Sequence, residues 1–195
     1  MNVLFIHVPK TAGLSIEKSL GLTAARTVGK FRRHFKGNGK YSLGHIDVRK
    51  RLKNGAISKE FYKSAFKFCF CRNPFSRAVS HYYYARRKHP DILSPDVSFI
   101  DFTRTLEGYG KHFQCQSWYV HGIEFDFIGR FENLEQDFNK VKEATGISGE
   151  LCKINTTGHT HYFDYYNDES ADNIAKFYDE DFKRFGYDNR LLSVL

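Results

Sequence analysis

The sequence has few cysteines and no long apolar run. No apolar segment reaches the roughly 18 residues needed to span a bilayer, and the N-terminus lacks the pattern of a secretory signal peptide. The four cysteines, at positions 69, 71, 115 and 152, do not follow the spacing of a zinc site and suit small buried side chains in a reducing compartment. These absences exclude a membrane span, a disulfide scaffold and a structural zinc module, and they predict a soluble cytoplasmic protein.

Length and charge limit the possibilities further. With 195 residues and 41% hydrophobic content the chain can form one substantial core, so we predict a single domain over residues 1–195. The formal charge of +8 favours anionic ligands, and basic residues concentrate in the segments 30–53 and 86–88. A solvated basic face, nucleic acid, an acidic glycan and nucleotide phosphates all fit this charge, which alone does not choose among them.

The N-terminal segment lacks a Walker A motif, since its lysine precedes its only glycine. It has instead an apolar strand pattern over 3–8, a loop over 9–15 and a helical pattern over 16–20. A helix N-terminus after a strand binds anions through N–H groups without intrahelical partners and through the helix dipole. Lys10 adds a positive charge and Gly13 permits close approach of the backbone. The segment therefore predicts a phosphate-binding loop, with an ordinary turn and a solvated Lys10 as the alternative.

Elsewhere, strand and helix patterns alternate. The apolar run 65–71 predicts a second strand, and Pro74 fits the first turn of the helix that follows, over 75–88. Further predictions are a long loop over 21–40, a third strand over 125–128, and helices over 48–52, 58–63, 99–106, 113–120, 134–145 and 168–185. Strands that alternate with helices predict an α/β fold, with a parallel sheet and helices on both faces.

Two cationic residues follow the first two predicted strands. Ligands of open parallel sheets bind at the carboxyl ends of the strands, so Lys10 and Arg72 are expected to face one ligand with two phosphate-like groups. Ser80 lies about two helical turns after Arg72 and is expected to reach the same anion as the guanidinium. Ser76 and Arg77 are further candidates at the start of that helix.

Several motifs resemble those of carbohydrate sulfotransferases of the heparan- and chondroitin-modifying type. Residues 7–15, H-V-P-K-T-A-G-L-S, are similar to the family's 5′-phosphosulfate loop, H-[IV]-P-K-T-[AG]-G-T-S. Residues 71–83 resemble its 3′-phosphate motif, R-[DN]-P-x-x-R-x-x-S-x-Y, and the segments 128–138 and 178–187 resemble two further blocks. The likeness covers nearly the whole chain, which is identified as a short member without a membrane anchor. Leu14 departs from the pattern, because the family commonly has threonine there.

The resemblance implies a P-loop NTPase-like three-layer fold with a central parallel sheet. It also implies transfer of a sulfuryl group from 3′-phosphoadenosine 5′-phosphosulfate (PAPS) to an acceptor hydroxyl, leaving 3′,5′-ADP, with no metal and no nucleic-acid partner. The expected acceptor is a sugar or glycan, with another anionic small molecule as the alternative. Lys10 would hold the phosphosulfate bridge as a catalytic residue, and Arg72 with Ser80 would hold the 3′-phosphate. The donor-binding positions carried over are Pro9, Lys10, Thr11, Ala12, Gly13, Leu14, Ser15, Arg72 and Ser80.

The acceptor hydroxyl needs a general base whose pKa lies near the working pH. His45, in the Gly-His pair between the two phosphate motifs, resembles the base of many relatives and is our candidate. His7 and Glu17 are the alternatives. His159 and His161 alternate as zinc ligands can, but no further ligands at metal spacing accompany them, so a loop that covers the donor is the expected role.

Two functions of other classes stay open at this stage. One is a P-loop kinase that uses ATP and magnesium, and the other is a non-catalytic module that binds phosphates or nucleic acid. Metal dependence separates the kinase from the sulfotransferase, and steeply salt-dependent nucleic-acid binding would support the module. Trp118 and the aromatic run 82–84 are candidates for stacking on adenine, although core packing accounts for most of these rings.

Overall fold

The computed structural model describes residues 1–25, 39–44, 48–53, 57–110, 113–152 and 161–191. Contacts within this part of the chain define two compact units. The first, here called the sheet unit, comprises Met1–Cys71 and Tyr119–Ile154, and the second, the helical unit, comprises Arg72–Trp118 and Asn155–Leu195. The expectation of a single domain stays a prediction.

Five parallel strands form the sheet, in the order β2-β3-β1-β4-β5. The strands are β1 (Val3–His7), β2 (Thr23–Ala25), β3 (Lys40–Gly44), β4 (Phe66–Cys71) and β5 (Phe127–Arg130). β1 lies in the centre, where His7 is in register with Gly44 of β3 and Ile6 with Cys69 of β4. The carboxyl ends of these three neighbouring strands therefore meet at one edge of the sheet, as the α/β prediction requires.

β1 is buried on both faces, which its uninterrupted apolar run predicts for a central parallel strand. On one face Phe5 and Phe68 stack with their ring centroids 4.9 Å apart. They share a core cluster with Ile16 of α1 (Gly13–Ser19) and Phe138 of α7 (Leu134–Thr145). Full burial of each such side chain contributes about 1.5–3 kcal/mol, so the strand that ends at His7 is firmly held.

Local signals mark one end of each of two helices in the sheet unit. Besides α1 and α7, the unit contains α2 (Val48–Lys53) and α3 (Lys59–Ser64). Ser58, the first residue of the helix predicted over 58–63, is the N-cap of α3, since its Oγ accepts the Phe61 N–H at 3.0 Å. α7 has the predicted bounds and is followed by Gly146, whose left-handed φ of +67° favours glycine.

The helical unit is packed around aromatic rings. It contains α4 (Pro74–Lys88), α5 (Phe99–Arg104), the first residues of α6 (Gln116–Val120), α8 (Asp168–Phe177) and α9 (Asp179–Phe185). Pro74 opens α4 as predicted, and the Asn73 side chain caps the helix by accepting the Phe75 N–H at 2.9 Å. The core of the helical unit includes Phe75, Tyr82, Phe99, Phe102, Phe113, Tyr178 and Phe182.

The structure corrects two sequence predictions. The predicted loop over 21–40 contains β2, and β2 and β3 extend the sheet beyond the three predicted strands. Such short strands are held by pairing with neighbours rather than by a local pattern. The predicted helix over 168–185 is two helices, because Tyr178 leaves the helical conformation and its buried hydroxyl donates to the Phe113 carbonyl at 2.8 Å. Among the residues described, no helix combines the length and the apolar character that a membrane crossing requires.

Candidate functional site

The loop between β1 and α1 contains two residues in the left-handed conformation. Lys10 has a φ of 68° and Ala12 a φ of 66°, which is uncommon for residues other than glycine and strained by roughly 1–3 kcal/mol each. Turns with left-handed residues form concavities lined by successive backbone N–H groups, a geometry that binds anions. Since Lys10 is partly exposed, the loop combines such a turn with a cation that a ligand can reach.

The hydroxyl of Thr11 holds this loop in shape. Thr11 is fully buried, and its Oγ1 donates to the Val8 carbonyl at 2.9 Å. The first intrahelical bond of α1 runs from the Ile16 N–H to the Ala12 carbonyl at 3.1 Å. The Thr11 hydroxyl proton is therefore already engaged within the protein, and Ser15, only 4% exposed, lies in the first turn of α1.

A buried polar network joins the end of β1 to α1 and β3. Glu17 Oε1 accepts the Ser42 hydroxyl at 2.6 Å and lies 2.8 Å from His7 Nδ1, and the three residues are 5%, 0% and 7% exposed. The His7 ring also packs directly on Gly13, where an added Cβ would overlap the ring. The His7 ring therefore leaves no room for a side chain at position 13. Close approach of an anion to the backbone would favour glycine there as well.

These contacts bear on the three base candidates. Glu17 is already engaged with His7 and Ser42 within the protein core. This arrangement suits a carboxylate that orients these two neighbours. His7 is buried against the helix that follows the loop, so its packing role is clear and its role as a base stays a prediction. His45 lies outside the described residues, as do His159 and residues 30–38 of the basic segment 30–53.

Arg72 begins the helical unit directly after β4 and is 7% exposed. Its Nε donates to the Ser76 hydroxyl at 2.9 Å. Ser80 lies four residues after Ser76 on α4 and therefore on the same face of the helix, where it is 3% exposed. The structure thus places Ser76 against Arg72, with Ser80 one turn further along the same face of α4, and their binding of one anion stays a prediction.

Arg77, the other candidate at this helix start, is turned into the interior. Its side chain is fully buried, and Nη2 donates to the Gln114 carbonyl at 2.9 Å. Nη1 lies 3.9 Å from the Asp181 carboxylate, and the guanidinium lies 5.5 Å from the centre of the Tyr178 ring. Arg77 is therefore part of the core and does not face a ligand.

The aromatic candidates differ in their exposure. Tyr82 is 5% exposed and its hydroxyl donates to the Val97 carbonyl at 2.7 Å, so it belongs to the core. Burial, together with the neighbouring Tyr165, raises the pKa of Tyr83 to about 12. Trp118 is 40% exposed, and His161 stacks on Phe163 with ring centroids 4.9 Å apart. Exposure makes Trp118 the better candidate of this group for a ligand contact.

A family model described as "Sulfotransferase family" matches residues 1–188. The chain belongs to the sulfotransferase family. Carbohydrate sulfotransferase 11 of Mus musculus is 26% identical over 95% of the chain, which spans only 64% of that protein's length. An uncharacterized protein of Archaeoglobus fulgidus is 29% identical over 54% of the chain and 89% of its own length. The crystal structure of a sulfotransferase from Alicyclobacillus acidocaldarius has a TM-score of 0.55 at 14% identity and covers 94% of both chains, which confirms the predicted fold class.

Three residues of this sulfotransferase-family chain support the candidate site but were not predicted from the sequence. Ser42 of β3 donates to Glu17, Gln116 is bonded to the backbone of Arg72, and Asp181 accepts the Gln116 N–H. Ser42 lies between the apolar residues Tyr41 and Leu43, all three of them buried, and a lone serine in such a setting is the signal that could have identified it. Gln116 and Asp181 carry no local signal, because their partners are distant in sequence.

Proposed function

We propose that this chain is an enzyme that transfers the sulfuryl group of PAPS to an acceptor hydroxyl. The observation that carries the proposal is the pair of anion-binding arrangements inside a chain of the sulfotransferase family: the left-handed turn around Lys10 and the group formed by Arg72, Ser76 and Ser80. Two such groups suit a donor that carries phosphates at both the 5′ and the 3′ positions. A 3′-phosphate distinguishes this donor from ATP.

Each residue has a defined part in the proposal. The Lys10 ammonium binds the oxygens between the 5′-phosphate and the sulfuryl group and stabilises the charge that forms on the leaving oxygen. The backbone of residues 11–15 binds the 5′-phosphate, and Arg72 with Ser80 binds the 3′-phosphate. Catalysis of this kind depends mainly on positioning and on stabilisation of charge, as in phosphoryl transfer.

The donor supplies the sulfuryl group and, once the sulfur–oxygen bond to its 5′-phosphate breaks, leaves as 3′,5′-ADP. His45 is the proposed base, which takes the proton of the acceptor hydroxyl as that oxygen forms its bond to sulfur. The transferred group bears less charge than a phosphoryl group, so the proposal needs no metal ion. Since one relative that matches over 95% of the chain is a carbohydrate sulfotransferase, we propose a sugar or glycan hydroxyl as the acceptor.

Thermal unfolding with nucleotides tests the donor. A ligand present at 100 times its Kd raises the free energy of unfolding by about 2.7 kcal/mol, which corresponds to a Tm increase of roughly 5–10 °C for a chain of this size. We expect that increase with 3′,5′-ADP in EDTA, and we expect Arg72→Ala to abolish it. Arg104→Ala, which removes an exposed arginine paired with Glu169, is the matched control.

Two outcomes would overturn the donor assignment. Equal or greater stabilisation by ATP with magnesium would favour the kinase, and an unchanged response in Arg72→Ala would remove Arg72 from the site. Transfer of sulfate from labelled PAPS to a panel of mono- and oligosaccharides and of alcohols that contain no sugar, measured with EDTA present, then tests the acceptor class. Transfer only to acceptors without sugar hydroxyls would refute the carbohydrate assignment and leave the donor assignment intact.

A further inference from the structure

The backbone of Arg72 is held by the side chain of Gln116. The Arg72 N–H donates to Gln116 Oε1 at 2.8 Å, and Gln116 Nε2 donates to the Arg72 carbonyl at 2.8 Å. The Gln116 amide thus pairs both the N–H and the carbonyl of Arg72, as the backbone of a neighbouring strand would, just beyond the end of β4. Gln116 is fully buried, so water does not compete for these bonds.

Gln116 is in turn fixed by Asp181. One carboxylate oxygen of Asp181 accepts the Gln116 N–H at 2.7 Å, and the other accepts the N–H and the hydroxyl of Ser117 at 2.7 and 2.9 Å. Asp181 is fully buried, and these three donors provide the partners that a buried carboxylate needs. The start of α6 is therefore tied to α9, and the Gln116 side chain extends from a fixed point.

The direction of the Arg72 side chain depends on where Gln116 holds the Arg72 backbone. Its Nε is bonded to Ser76, so the position of the backbone and the position of α4 together determine where the planar guanidinium lies. Arginine binds a phosphate through two parallel N–H groups, and this contact tolerates little displacement. A misplacement of about 1 Å in such a binding group can lower a rate by roughly a hundredfold.

We infer that Gln116 is a positioning residue that sets Arg72 for the 3′-phosphate and so determines the preference for 3′-phosphorylated nucleotides. The inference rests on the proposed function. Gln116 acts through Arg72 and Asp181 acts through Gln116, so neither residue needs to touch the ligand.

The test compares the Kd of 3′,5′-ADP with that of 5′-AMP, which lacks only the 3′-phosphate, by calorimetric titration. Gln116→Met keeps the length and the apolar volume of the side chain but removes both bonds to Arg72, and Gln116→Asn withdraws the amide by one methylene. Gln136→Met makes the same chemical change at an exposed position of α7 and serves as the control. We expect both Gln116 variants to reduce the preference for 3′,5′-ADP about tenfold or more, with 5′-AMP affinity within twofold of the wild type.

An Arg72→Ala background separates positioning from a general loss of structure. Because Gln116 acts through Arg72, adding Gln116→Met there should not reduce the preference further. A Gln116→Met protein that folds and keeps the wild-type preference would overturn the inference, as would equal weakening of both nucleotides. If Gln116→Met does not fold, the same criteria applied to Gln116→Asn decide the question. A wild type without preference for 3′,5′-ADP would overturn the proposed function and this inference together, whereas a wild-type preference that the Gln116 variants keep in full would overturn the inference alone.

Discussion

Replacing Gly13 with alanine is expected to destabilise the protein because of its contact with His7. An added Cβ would overlap Cδ2 and Nε2 of the His7 ring. The ring has little freedom to move, since it is 7% exposed and its Nδ1 lies 2.8 Å from Glu17 Oε1. Overpacking of this kind costs about 1–3 kcal/mol, and the better helix propensity of alanine offsets at most about 1 kcal/mol. We expect a net loss of about 1–2 kcal/mol in the free energy of unfolding.

A double-mutant cycle tests the cause. In a His7→Ala background the new methyl group has room, so Gly13→Ala should become neutral or stabilising, which gives a coupling energy of about 2 kcal/mol. Urea unfolding followed by far-UV circular dichroism supplies the four free energies. Gly108→Ala is the control, since a Cβ there meets nothing within 4 Å. An equal cost of Gly13→Ala in both backgrounds would refute the reasoning.

Three further outcomes are expected. Asp181→Asn should lower the free energy of unfolding by about 3–5 kcal/mol, because the buried carboxylate holds three donors and faces Arg77. Urea unfolding measures this loss, and a loss no larger than that of Arg104→Ala, at an exposed position, would contradict the expectation. Burial raises the pKa of Cys115 to about 11, so its alkylation by iodoacetamide at pH 8 should be slower than that of a free thiol by about two orders of magnitude. The same shift stabilises the fold below the unfolded pKa of roughly 8.5, and this contribution is lost as the pH rises towards 11. His45→Ala should lower kcat by about 10²- to 10⁴-fold with little change in the Kd of 3′,5′-ADP, and an unchanged kcat would exclude His45 as the base.

Local signals in the sequence predicted much of the fold. The apolar run of β1 specifies a buried central strand, and Ser58, Pro74 and Gly146 mark helix ends where the structure has them. The same locality made the Lys10 loop visible, since its charge, its glycine and its flanking strand and helix are consecutive. Such features depend on a few neighbouring residues, and sequence patterns record them directly.

The supports of the candidate site could not be predicted in this way. Ser42 lies 25 residues from Glu17, and Gln116 lies 44 residues from Arg72. Asp181 lies 65 residues from Gln116, and its segment was expected to continue a single helix. These pairs meet because of strand order and helix packing, which are set by the whole chain. A buried polar residue shows in a sequence only that it needs partners, and the fold determines which partners it has.

Glu17 and Asp181 show how buried carboxylates can lie near the candidate anion sites although they repel anions. Each is almost completely buried and must collect donors to offset the loss of water. Glu17 lies 2.8 Å from His7, the last residue of β1 before the Lys10 loop, and Asp181 accepts the N–H of Gln116, whose side chain holds the backbone of Arg72. Under the proposed function, Arg72 is thereby positioned before a ligand binds, so less reorganisation is needed when the 3′-phosphate enters.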